Sequence, residues 1–75
     1  MHEKLTGDLR DWASLAQRHG QPESAELLTR AAESVASSVR DPELAVHLQA
    51  YAIIAEGKGQ NGFAGILTEA AQTVA

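Results

Sequence analysis

"DLRDWASLAQRHGQPESAELLTRAAESVA" (residues 8–36) and "HLQAYAIIAEGKGQNGFAGILTEAAQTVA" (residues 47–75) are two versions of one unit. At an offset of 39 they align without a gap and agree at 12 of 29 positions. Six of those twelve are alanines, which composition alone can inflate. The other six are Leu9/Leu48, Gly20/Gly59, Gln21/Gln60, Leu28/Leu67, Thr29/Thr68 and Val35/Val74. The turn glycine, the glutamine after it and the threonine fall in register with the apolar positions, so shared periodicity is an insufficient account. One supersecondary unit, written twice, is expected.

Inside each unit the apolar residues keep a helical period. Leu5, Leu9, Trp12, Ala16 and His19 step by 4, 3, 4 and 3, with Leu15 widening the stripe. Gly20 suits the left-handed position after a helix, and Pro22 suits the first turn of the next. Ala25, Leu28, Ala32, Val35 and Val39 form the second stripe, flanked by Leu27 and Ala31. Asp41-Pro42-Glu43 restarts the chain with a side-chain acceptor, a proline at the first helical position and a carboxylate near the positive helix end. The third helix is expected to run to about Glu56. "GKGQNG" then breaks it, Asn61 offers a cap, and Phe63, Ile66, Leu67, Ala70 and Val74 mark a fourth helix. The expected fold is all-α: four helices in two sequence-related antiparallel α-hairpins, over about 5–39 and 42–75, in a single domain 1–75.

A chain of 75 residues buries only about 60% of its unfolded surface, and such domains are usually reinforced by disulfides, metal or association. Cysteine is absent, and His2, His19 and His47 have no metal-ligand spacing. Association is the reinforcement left. The net charge of −4 is spread over both halves, with 4 basic and 6 acidic residues in 1–39 and 2 and 4 in 40–75. Neither half is a basic footprint, so nucleic acid is not an expected partner. There is no apolar run of membrane-spanning length, and "MHEKLTGDLR" has no signal-peptide core, so a cytoplasmic protein that does not enter membranes is expected.

No recognisable chemistry emerges. "EGKGQNG" around Lys58 lacks the spacing of a phosphate-binding loop and has no strand before it. The serines lack the Asp-Ser-Leu context of an acyl carrier protein, although size, acidity and helix number would suit one. No Ser/His/Asp set has a familiar spacing, Asp8 and Asp11 flank Arg10 on what reads as a solvated face, and His47 four residues before Tyr51 reads as structural. The expectation is a protein that is not an enzyme, with no catalytic residues, cofactor or metal.

The small residues within each unit resemble those of the tetratricopeptide repeat. Ala13, Gly20, Ala25 and Ala32 fit that frame, as do Ala52, Gly59, Ala64 and Ala71, and the resemblance covers residues 8–36 and 47–75. Departures are the period of 39 against the family's 34, Thr29 and Thr68 in place of a large aromatic, and no closing proline. The resemblance implies stacked helical hairpins that bind a protein or peptide. It also implies a groove lined by first-helix residues of each unit, namely Arg10, Ser14 and Arg18, then Gln49 and Ile53.

Where the units differ, they differ in one direction. Asp11 becomes Ala50, Ser14 becomes Ile53, Ser24 becomes Phe63 and Glu26 becomes Gly65. On the third helix Val46, Ala50, Ile53 and Gly57 therefore make a second apolar stripe beside Leu44, Leu48, Tyr51 and Ala55. The first helix has Gly7, Asp11, Ser14 and Arg18 there. A helix apolar on two sides is buried on two sides. One account packs the second hairpin on the first along this stripe; the other makes Val46, Ala50, Ile53 and Phe63 a protein interface. Stacks of hairpins normally need about three repeats, so two are expected to be completed by a homodimer, a larger homo-oligomer or a partner. The expected function is a small non-catalytic protein–protein interaction module, an adaptor, chaperone-like subunit or regulator. The alternative is a stand-alone inhibitor, of phage or mobile-element type, that docks on a host enzyme and blocks it.

Overall fold

The computed structural model describes residues 2–75. It contains α1 (Glu3–Arg18), α2 (Pro22–Ser37), α3 (Pro42–Gly57) and α4 (Asn61–Val74) and, among the described residues, no strand. Helices α1 and α2 pack along their lengths as one antiparallel hairpin, and α3 and α4 as the other.

The repeat is carried by the core. Leu5/Leu44, Leu9/Leu48, Ala13/Ala52, Ala16/Ala55, Ala25/Ala64, Leu28/Leu67, Ala31/Ala70, Ala32/Ala71 and Val35/Val74 are buried in both units. Only Leu27 and Ala45 among the buried hydrophobic residues lack a buried counterpart. Alanine dominates because it lets the helices of a hairpin approach closely, while leucine and valine fill the space between crossings. No polar or charged residue is buried among the described residues.

The two hairpin turns are also built alike, and they explain why glycine and glutamine recur. Gly20 and Gly59 have φ of 70° and 78°, the left-handed region. The Gln21 N–H donates to the Ala16 carbonyl at 2.9 Å and the Gly20 N–H to Gln17 at 3.2 Å. Gln60 donates to Ala55 at 2.9 Å and Gly59 to Glu56 at 3.0 Å. This is a Schellman closure, satisfying carbonyls that the helix end would otherwise strand. Each glutamine carbonyl then accepts the first bond of the next helix, from Ala25 at 3.0 Å and from Ala64 at 2.9 Å. One residue thus ends one helix and begins the next. Thr29 and Thr68, where the resemblance would place an aromatic, turn back to donate to the Ala25 and Ala64 carbonyls at 2.8 and 2.9 Å.

The link between hairpins is different. The second helix ends at Ser37, and Ser38 takes the left-handed conformation at φ 56° without being glycine. Val39, expected to close the α2 stripe, lies beyond the helix with 56% of its surface exposed. Asp41 caps α3 as expected, accepting from the Leu44 N–H at 3.1 Å. Its own N–H donates to Val74 at 2.7 Å, tying the start of α3 to the end of α4. Asn61 is not the cap of α4: Gln60 holds that position, with no side-chain capping bond, and Asn61 is the first helical residue. The turn closes one residue earlier because Gln60 is already committed by the Schellman geometry.

The hairpins do not follow one another as a tandem stack. A stack would lay α3, the first helix of the second unit, against the first hairpin. Instead α4 is the helix that meets it, packing on both α2 and α1, whereas α3 has no comparable packing on either. Trp12 of α1 stacks on Phe63 of α4, ring centroids 4.5 Å apart and planes 29° apart. The repeat-equivalent pair, Tyr51 with Ser24, lines one shallow depression. The two hairpins therefore meet unequally, because Phe63 fills the space beside Trp12 and Ser24 does not fill that beside Tyr51.

Candidate functional site

The side chains of α3 divide into two opposed apolar faces. At 100° per residue Leu44, Ala45, Leu48, Ala52 and Ala55 share one side of the helix, and all are buried. Val46, Ala50, Ile53 and Gly57 share the other, and all are exposed, Val46 to 64% and Ile53 to 74%. Ile54, 54% exposed, widens this outer face. From Leu44 to Ala55 there is no Asp, Glu, Lys or Arg. Charge appears at the ends: Glu43 in the first turn, Glu56 in the last, and Lys58 at the C-cap just beyond it, each exposed.

The packing of the second stripe against the first hairpin is therefore corrected. Because α4 turns toward the first hairpin, the face of α3 opposite its own core points outward and remains uncovered within the chain. Val46, Ala50 and Ile53 lie together on it. Phe63 does not: it is half-buried against Trp12, so its apolar gain over Ser24 joins the two hairpins.

The groove implied by the tetratricopeptide resemblance is not assembled. Arg10, Ser14 and Arg18 are exposed on α1, Gln49 and Ile53 on α3, and those two helices do not line a common wall. Arg10 instead borders an open depression with His2, Glu3, Thr6, Val35 and Ser38, at the free end of the first hairpin.

Elsewhere the surface offers little that gathers chemistry. His47 is exposed and shares a shallow depression with Tyr51, Glu23, Glu26 and Arg30. Arg30 lies 3.7 Å from Asp41, a partly exposed ion pair of the kind worth at most about 1 kcal/mol. Among the described residues there is no group of three or more metal-ligating side chains, and no helix is long and apolar enough to cross a membrane. Sequence reasoning singled out the outer stripe but left out Ile54. Ile54 aligns with the apolar Leu15 of the first unit, so comparing the two units gave no signal for it.

No protein-family model matches the chain, and the searches of curated proteins and of solved structures give no match.

Proposed function

We propose that this protein is a small non-catalytic protein–protein interaction module that self-associates through the outer face of α3. One observation carries the proposal: a helix face of Val46, Ala50, Ile53 and Ile54 lies in solvent, uncharged, where the other first helix has Gly7, Asp11, Ser14 and Leu15. Scattered exposed apolar residues need no explanation, but a contiguous patch rimmed by polar groups marks an interaction site. Fully burying one valine or isoleucine side chain contributes roughly 1.5–3 kcal/mol, and the half to three-quarters of each that is exposed here is the surface that association would remove from water. Small size adds to the case, because association supplies the buried surface that 75 residues lack.

Adaptor, chaperone-like subunit and regulator are the roles such a module fits. The tetratricopeptide resemblance supports the helical hairpin as the building unit, but the α3 face, not a groove between first helices, is the surface assigned here.

The test is absolute mass by light scattering over a wide concentration range, on wild type and on Ile53→Asp. A wild-type assembly that the variant disperses at unchanged helicity is the expected result. A wild type that stays monomeric at millimolar concentration overturns self-association. Ile53 is exposed, so unfolding of the variant would contradict its placement on a free face.

A further inference from the structure

We infer that the occupant of this face is the α3 helix of a second copy, laid antiparallel across a two-fold axis at Ala50. The inference rests on the self-association proposed above and adds to it a geometry, a register and a pair of recognition charges.

Four observations lead there. Val46, Ala50, Ile53 and Gly57 are spaced 4, 3 and 4, the seam spacing of two helices packed side by side. The smallest side chain of the exposed trio Val46, Ala50 and Ile53 is the central one, where two helices pressed together come nearest. With Ala50 opposite Ala50 of the second copy, Val46 of each chain lies at the level of Ile53 and Ile54 of the other. Bulk thus meets bulk on either side of the crossing.

The charges choose the direction. Glu43 lies seven residues before Ala50 and Lys58 eight residues after it, at about 10–12 Å from the crossing along the helix axis. Both sit on the same flank of the outer face as Ile54. A two-fold axis perpendicular to the helices keeps that flank on the same side in both copies. Antiparallel pairing therefore sets Glu43 of each chain beside Lys58 of the other, twice. Parallel pairing would put the two Glu43 at one level and the two Lys58 at the other, on opposite flanks and without an opposite charge beside them, and would align the two helix dipoles unfavourably.

Net charge restricts the choice of surface. Two chains of −4 repel, so the contact must form where acidic residues are sparse. The exposed face of α2 carries Glu23, Glu26 and Glu33, and that of α1 carries Glu3 and Asp11; α3 is charged only at its ends, and α4, with Glu69 alone, is the helix that packs on the first hairpin. A 16-residue helix is about 24 Å long, and a strip about 10 Å wide along it covers roughly 240 Å² per copy. That is well below the roughly 800 Å² per partner of standard stable complexes, so the dimer is a reversible one that dilution dissociates.

The absence of cysteine makes the register directly readable. Ala50→Cys is expected to form an interchain disulfide under mild oxidation, since facing Cα atoms at a close helix crossing fall within the roughly 4.4–6.8 Å that a disulfide spans. Val46→Cys is expected not to link to itself, because antiparallel pairing separates the two positions by about 12 Å along the axis. Glu43→Lys and Lys58→Glu should each weaken the dimer about fivefold at low salt, and the double variant should return it to near the wild-type value. These positions are exposed, so circular dichroism should be unchanged throughout.

The outcomes separate cleanly. Self-linking of Val46→Cys as fast as Ala50→Cys, or failure of the double charge swap to restore what the single ones lose, overturns the antiparallel geometry. If Ile53→Asp still disperses the assembly in that case, the α3 face itself survives. A wild type that never associates removes both.

Discussion

Helices α1 and α3 occupy equivalent places in the two units, and their inner faces are nearly the same surface. Leu5, Leu9, Ala13 and Ala16 on one match Leu44, Leu48, Ala52 and Ala55 on the other, all buried. Their outer faces share almost nothing. Gly7, Asp11, Ser14 and Arg18 are replaced by Val46, Ala50, Ile53 and Gly57, equally exposed. The inner face is held by packing, where a wrong volume costs several kcal/mol. Nothing within the chain holds the outer face, so its chemistry is free to serve an encounter between chains. Charge tells the same story: residues 1–39 carry ten charged side chains and residues 40–75 carry six, two of them in the Arg40-Asp41 link.

The comparison breaks first, and most severely, in the core. Leu9→Ala and Leu48→Ala should each cost about 3 kcal/mol in urea unfolding, since both side chains are fully buried among alanines that cannot collapse inward. Equal costs are expected. A Leu48→Ala penalty smaller by 2 kcal/mol or more would mean that the two inner faces are not equivalent.

Next comes a contact at which the units meet unequally. Phe63→Ser gives the second unit the residue of the first at that position and removes the ring stacked on Trp12. A loss of about 2 kcal/mol is expected, less than for a fully buried phenylalanine because Phe63 is only half-buried. Trp12 is the sole tryptophan, so its fluorescence should shift with the same substitution.

Transplanting the outer face sharpens the comparison. Asp11→Ala with Ser14→Ile gives α1 the apolar character of α3 at two exposed positions. Larger assemblies should appear in light scattering, with folding stability within about 0.5 kcal/mol of wild type, as for surface substitutions generally. Unchanged mass would show that apolar character alone does not make the α3 face associate.

The smallest effect concerns Gly65, which stands where the first unit has Glu26. Its place is exposed mid-helix, and an added Cβ would meet nothing within 4 Å. Gly65→Ala should stabilise by about 0.5–1 kcal/mol in thermal unfolding, through helix propensity alone.

Much of the fold was legible in the sequence because helices and turns are local. The 3.6-residue period marked the inner faces, Gly20 and Gly59 marked the left-handed turn positions, and Asp41-Pro42 marked the start of α3. Boundaries slipped where two local signals competed. Asn61 resembled a cap, but the preceding Gln60 was already held by the Schellman bond to Ala55. Val39 continued the apolar spacing, but Ser38 had left the helix.

The candidate site was legible only as a list. Val46, Ala50 and Ile53 stood out as a second stripe, yet the sequence allowed it to face either the first hairpin or solvent. Phe63 looked like a member of the same surface and belongs to the contact with Trp12 instead. Arg10, Ser14, Arg18 and Gln49 looked like one groove and stand on helices that do not pack together.

By itself, then, the sequence determined four helices, two hairpins and the inner face of each helix, since backbone hydrogen bonding and amphipathic period act within a few residues. How the hairpins meet was decided by tertiary structure alone. Two apolar units can stack in tandem or pair about a two-fold axis with the same local signals, and the choice turns on which distant surfaces fit. Here Phe63 fits against Trp12 and α4 against α2. That fit turns the outer face of α3 to the solvent.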